Sequence, residues 1–291
     1  MSGQDFFANR CSVETPSGKI SYVERGKGPV ALFVHGVLLN GYLWRHQFAQ
    51  LDSSRRCIAP DLLAHGHTEI VADQDVSVTA NAHMLAQFLD ALGIDQVDLV
   101  GNDSGGGICQ IFAALYPQRL RSLALTDCDT HDNWPPEAFK PFVAMVAAGG
   151  LSETVQAMLT DKSVYRTALA PAYERSQAVA DDTIETFLRP FNSSPQRMHD
   201  LERFINAFDC RHTVQIEAQL ARVQAPTLIA WGTDDIYFGV EWSHWLAKTI
   251  PGTKRRIELE SARVFFPEER AEELNRELQA HWAASATTEA N

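Results

Sequence analysis

The chain of 291 residues predicts an α/β fold: a mostly parallel central sheet with helices on both faces, interrupted by one mainly helical insertion. Three observations carry this expectation. Short apolar runs alternate with segments of helical spacing. The runs have the length of buried strands, and loop chemistry follows each of them. Between residues 132 and 222 the alternation stops, and several helix signals follow one another with no confident strand.

The expected strands, in order, are Pro29–Val34, ending at His35-Gly36; Cys57–Ala59, passing through Pro60 into Asp61; Val97–Val100, ending at Gly101; Leu123–Leu125, ending near Asp127; and Thr227–Trp231, ending at Gly232. Ligand sites in such sheets lie beyond the carboxyl ends of the strands, so the trailing residues are the place to seek chemistry. Segments near 80–93, 105–116 and 267–282 predict helices, the first and last with apolar residues spaced by three and four. Gly93 and Pro117 are fitting stops for the first two. Trp134-Pro135-Pro136, Gly149-Gly150 and Pro195 punctuate the insertion. The expected division is a core of 1–131 plus 223–282, a helical cap of 132–222, and a small, polar tail of 283–291 that frays.

With 45% apolar residues the chain can bury a large core without staples. A formal net charge of −12 argues against nucleic acid or an anionic membrane as the main partner. Cys11, Cys57, Cys109, Cys128 and Cys210 are odd in number and lack metal spacing, which fits reduced thiols. The start, MSGQDFFANR, has no apolar stretch of signal-peptide length, and no run nears the roughly 18 apolar residues of a spanning helix. The expectation is a cytoplasmic protein, monomer or homodimer, with neither nucleic-acid nor membrane partner.

After the third expected strand comes Gly101-Asn102-Asp103-Ser104-Gly105. A strand, then Gly-x-nucleophile-x-Gly, then a helix is a sharp turn that lifts one side chain above the sheet. Centring the frame on Asp103 satisfies both glycine positions. Centring it on Ser104 puts Asn102 in the first small position, although Gly106 would satisfy the second. The strand phase also leaves Asp103 at the apex. A bland alternative is an N-capping aspartate or a phosphate-binding turn, but no Gly-x-Gly-x-x-Gly or Gly-Lys-Ser/Thr accompanies it.

Four segments in order now resemble the α/β-hydrolase superfamily across nearly the whole chain: His35-Gly36 with Tyr42-Leu-Trp-Arg45; Asp61-Leu-Leu-Ala-His-Gly-His-Thr68; the elbow; and Trp231-Gly-Thr-Asp-Asp235. An elbow aspartate is similar to its haloalkane dehalogenase and epoxide hydrolase branches. The resemblance implies that Asp103 attacks an sp3 carbon and forms an ester, which a base-activated water then hydrolyses. It further implies backbone N–H groups of Val37 and Ser104 as the oxyanion hole, and acids at Asp127 and Asp235. His35 would lie in the oxyanion loop. No cofactor and no metal are expected, since no pair of histidines has ligand spacing with a carboxylate.

The chain also departs from that pattern. Ser104 and Val37 stand where dehalogenases carry groups that cradle a halide. The general base should come from a loop before the last helix, and here that stretch is Glu260-Ser-Ala-Arg-Val-Phe-Phe-Pro-Glu-Glu269. Val264, or Arg263, occupies the histidine position, and neither takes a proton near neutrality. His131, with Asp127, Asp129 and Asp132 near it in sequence, is the candidate substitute; a solvated loop residue is its ordinary alternative. Tyr165 and Tyr173 in the cap could protonate a leaving oxygen, or simply pack. Trp134, Phe139, Phe142, Phe187, Phe191 and Phe204 fit either an apolar pocket or the cap's own core.

Three readings follow. The first is a hydrolase of a small hydrophobic molecule, cutting a carbon–halide, epoxide or ester-type bond through Asp103 with a non-standard base. The second is a cofactor-free lyase, isomerase or cyclase that uses Asp103 as acid or base. The third is a ligand-binding pseudo-hydrolase.

Overall fold

The structure, a computed structural model, describes residues 1–289, and of 286–289 the backbone alone. Eight strands form one sheet: β1 Arg10–Thr15, β2 Gly18–Arg25, β3 Val30–Val34, β4 Arg56–Pro60, β5 Val97–Asp103, β6 Leu120–Cys128, β7 Thr227–Gly232 and β8 Thr253–Leu259. Their order is β1-β2-β4-β3-β5-β6-β7-β8. β2 runs antiparallel to both β1 and β4, and the pairings from β4 through β8 are parallel. The mostly parallel sheet is as expected.

The five expected strands are all present, and they are the buried ones. β3 and β5 are buried along their whole length. β1, β2 and β8 had no counterpart in the expectation, for a physical reason. β8 reads Thr-Lys-Arg-Arg-Ile-Glu-Leu and β1 is largely exposed. Edge strands are covered incompletely, so their sequences lack an uninterrupted apolar run.

The helix Val78–Ala91 packs on the helix Ser104–Leu115, which springs directly from β5, and the helix Arg45–Leu51 packs on Ala271–Glu289. Between β6 and β7 the described elements are helices, from Glu137–Phe139 to Glu217–Leu220. This is the cap. Gly3 N–H donates to Asp182 at 3.0 Å, so the amino-terminal turn leans on it. Among the described residues no single helix is long and apolar enough to cross a membrane.

The segment expected to fray is helical instead. The last helix runs through Glu289, and residues 290–291 lie outside the described residues. Ala283 and Ala284 favour helix, Trp282 is buried, and the Arg55 guanidinium sits 4.7 Å over its ring.

One close approach in the core is at Gly105. A Cβ there would lie 2.3 Å from the His35 carbonyl oxygen and 2.5 Å from that of Val34. Both are backbone atoms of the sheet and cannot swing aside. Gly105→Ala is therefore expected to destabilise the protein by about 3 kcal/mol, the upper range for overpacking. A fall in denaturant midpoint at unchanged slope would register it.

Candidate active site

Asp103 closes β5 with φ 56° and ψ −137°, a left-handed backbone that a non-glycine residue holds only under constraint. The glycines around it explain how. A Cβ on Gly101 would meet Cys109 and the next turn, one on Gly106 would meet Cys128, and one on Gly107 would meet Trp134. Helix and sheet touch through hydrogen atoms alone. Gly36 acts similarly from the other side, since a Cβ there would lie 2.0 Å from Asp103 Oδ2.

That space lets the loop after β3 close on the carboxylate. The Val37 N–H donates to Asp103 Oδ2 at 3.0 Å, and the Ser104 N–H donates to the same carboxylate. The two residues expected to form the oxyanion hole do flank one carboxyl group, and it is that of Asp103. Burial nonetheless pushes this carboxyl up to about 7, against the two N–H groups, with the charge of Asp235 adding to the rise. The Ser104 hydroxyl is fully buried and has no hydrogen-bond partner among the described residues. His35 is buried and neutral; its ring bonds the Gly36 carbonyl at 2.8 Å and accepts from the Leu62 N–H at 3.1 Å. It holds the loop and does not line the cavity.

Asp127 lies in β6 and Asp235 in the loop after β7. Asp127 Oδ1 accepts from the Gly232 N–H at 2.8 Å, and Asp235 Oδ1 accepts from Tyr237 and Phe238 N–H at 2.7 and 3.1 Å. The two carboxyls lie close enough for the charge of Asp235 to add to the rise at Asp127. Burial holds Asp127 well above the usual carboxylate range, and it raises Asp235 to about 6. Their Oδ2 atoms have no hydrogen-bond partner among the described residues.

Among the described residues no histidine lines the cavity. Val264 lines the cavity beside Asp103, and its carbonyl accepts from Asn102 Nδ2 at 2.9 Å. Arg263 bonds Asp234 at 2.7 Å and reaches the Ala170 and Tyr173 carbonyls of the cap at 3.0 and 3.1 Å. His131 must be corrected. Its ring pairs with Glu217 at 3.2 Å and Asp132 at 3.3 Å, lies 4.8 Å from the Trp245 ring, and is not part of the cavity wall. β6 continues to Cys128, three residues beyond the expected end, which carries His131 past the site.

A cavity lies between cap and core, and its wall is mainly apolar. Its polar lining is Asp103, Asp129, Tyr165 and Tyr237. Tyr165 lines the cavity; its hydroxyl lies 3.4 Å from that of Tyr173, which stands behind it and reaches Glu268 at 3.4 Å. Trp134 is another correction, being buried against Gly107 and Phe208 outside the lining. Of the six aromatic residues singled out in the cap, Phe139 alone lines the cavity, together with Met158, Leu169, Leu188 and Phe208. Asp129 and Tyr237 were not anticipated as lining residues. The signal for Asp129 was its position, the first residue beyond the carboxyl end of β6. Among the described residues no group of three or more His, Cys, Asp or Glu side chains could hold a metal ion.

A family model described as alpha/beta hydrolase fold matches residues 29–269. The chain is similar to a haloalkane dehalogenase of Mesorhizobium japonicum, 30% identical over 195 residues. That match spans 65% of this chain and 61% of the relative, so less than two thirds of the relative's length is covered. It is also similar to a cis-3-alkyl-4-alkyloxetan-2-one decarboxylase of Shewanella oneidensis, 25% identical over 241 residues, or 79% of this chain and 74% of that protein. In fold it resembles a thermophilic esterase from Thermogutta terrifontis, with a TM-score of 0.73 at 22% identity, covering 95% of this chain and 98% of the esterase.

The neutral Asp127 has a measurable signature. Its carboxyl is raised in the folded state, so above about pH 4 the folded chain binds a proton that the unfolded chain does not. Stability from this group therefore falls as pH rises toward its folded value. Asp127→Asn keeps an acceptor for Gly232 without titrating. It is expected to match the parent near pH 4 and to exceed it by at least about 1 kcal/mol at pH 8, as read from denaturant midpoints at the two pH values.

Proposed function

The chain belongs to the alpha/beta hydrolase fold family; from that premise we propose that it is a hydrolase with Asp103 as the nucleophile, attacking an sp3 carbon of a small apolar substrate to form an ester that water then hydrolyses. One observation carries the reading: the Val37 N–H, with that of Ser104, already holds an oxygen of Asp103 itself. When the nucleophile is a carboxylate, the acyl group hydrolysed in the second half is the enzyme's own. The oxyanion then develops on Asp103, and the donors must surround that residue rather than a substrate carbonyl. A serine nucleophile would need this cradle empty.

The lining supports an oxygen leaving group. It includes no tryptophan or asparagine side chain to cradle a halide, whereas the Tyr165 and Tyr237 hydroxyls and the Asp129 carboxyl can deliver a proton. A strained cyclic ether or small cyclic ester fits such a wall better than an alkyl halide. Similarity to an oxetanone decarboxylase makes a β-lactone a reasonable probe.

A second reading, proton transfer without a covalent step, is favoured by Asp103 itself, whose carboxyl is raised to about 7 where a general base works best. The two readings differ in one product. Incubating the protein with aryl epoxides, β-lactones and benzylic bromides, followed by peptide-resolved mass spectrometry, is expected to find the substrate's mass on Asp103 and none on Asp103→Asn. Turnover lost in Asp103→Asn, with no adduct in the parent, would instead favour proton transfer. The attacking form is the carboxylate, so the rate of adduct formation should be level above about pH 7 and fall about tenfold per unit below it.

A further inference from the structure

Resting on the nucleophile reading above, we propose that Asp129 is first the acid and then the base of the reaction: its carboxyl protonates the oxygen leaving the attacked carbon, and the carboxylate so formed takes a proton from the water that hydrolyses the Asp103 ester. Geometry carries this. Asp129 lines the same cavity as Asp103, is 1% exposed, and its Oδ1 is buried with no hydrogen-bond partner among the described residues. A buried carboxyl oxygen with nothing to bond is unfavourable in a folded protein unless a substrate or water completes it.

Its position is fixed by the same elements that fix the elbow. Gln110, on the helix that Asp103 begins, donates to the Asp129 carbonyl at 2.7 Å and lies within bonding reach of Gly106 and Cys128. A Cβ on Gly107 would come within 3.2 Å of that of Asp129, so the absence of a side chain there admits it.

The other groups that could do this work are excluded one by one. The described lining contains no His, Lys or Arg. Tyr165 and Tyr237 are phenols pushed above their ordinary range by burial, able to donate but poor acceptors near neutrality. Asp127 and Asp235 are not part of the described wall. Asp129 is left as the cavity group, besides Asp103, that can hold a proton and release it.

The cycle balances. Asp103 carboxylate forms the new carbon–oxygen bond as the substrate carbon–oxygen bond breaks, and the Asp129 proton goes to the departing oxygen. Water then adds to the Asp103 acyl carbon, giving its proton to Asp129. Collapse breaks the acyl–oxygen bond, and Asp129 returns that proton to the alcohol. Asp103 is left protonated and passes its proton to Asp129, which restores the start. The change of role is also electrostatically timed. Burial and the Asp103 charge are what hold the Asp129 carboxyl well above its usual range, and esterification removes that charge.

Two probes separate the two roles. Benzyl bromide loses bromide without a proton, so only ester hydrolysis needs Asp129, whereas styrene oxide needs it in both halves. With benzyl bromide, Asp129→Asn is expected to form the Asp103 ester at close to the parent rate and hydrolyse it at least a hundredfold more slowly. With styrene oxide, ester formation should slow as well. Asp129→Glu, which keeps a carboxyl, should hydrolyse the ester faster than Asp129→Asn by tenfold or more. Hydrolysis by Asp129→Asn at the parent rate, or equal losses in Asn and Glu variants of unchanged melting temperature, would overturn the role of Asp129 and leave the Asp103 ester standing. Absence of any Asp103 ester in the parent protein and both variants would overturn the nucleophile reading instead.

Discussion

The turn at Asp103 is the constraint on which the rest of the molecule depends. β5 must become a helix within one residue, and the apex is held in a backbone region that costs of order 1–3 kcal/mol. That geometry survives because the surrounding chain leaves it no alternative. The helix lies so near β3 that Gly105 meets carbonyl oxygens, and near enough to β6 that Gly106 meets Cys128. The same closeness brings the Val37 N–H to the carboxylate. Strain, glycine pattern and hydrogen-bond cradle are one arrangement seen from three sides.

Electrostatically, the carboxyl end of this sheet is unusual. Asp103, Asp127 and Asp129 are buried there and Asp235 is half-buried, each with its carboxyl raised first by loss of solvent. No cationic side chain among the described residues lines the cavity to compensate them. Protons take the place of counter-ions, which lets the cluster stay neutral enough to be buried. Holding those protons comes at the expense of stability in alkaline conditions.

Much of this was legible in the sequence, and the boundary is physical. The five central strands announced themselves because burial on both faces demands unbroken apolar runs; the edge strands β1 and β8 did not, because edges tolerate Lys, Arg and Glu, and β2 beside β1 did not, because Lys19, Ser21 and Glu24 break its apolar run. The elbow was legible because glycine at 101 and 105 is dictated by backbone approach, a property of the chain itself. The acids at 127 and 235 were legible by resemblance. Asp129 and His131 were not distinguishable by sequence, since both trail one strand within a few residues. Three further residues of β6 direct the first into the cavity and carry the second out to Glu217 and Trp245. Cap aromatics posed the same difficulty: Phe139 faces the cavity and Trp134 does not, a difference set by tertiary packing.

The loop that begins at Glu260 has a consequence of another kind. Arg263 grips two carbonyls of the cap while holding Asp234 of the core, and the Phe265 N–H donates to Ala172 at 3.2 Å, so the strip of chain beside Val264 fastens cap to core. Any hinging of the cap along this edge has to unfasten those bonds together. A segment that has no proton to offer has become a latch, and the dwell time of whatever enters the cavity is written in its hydrogen bonds as much as in the chemistry beneath.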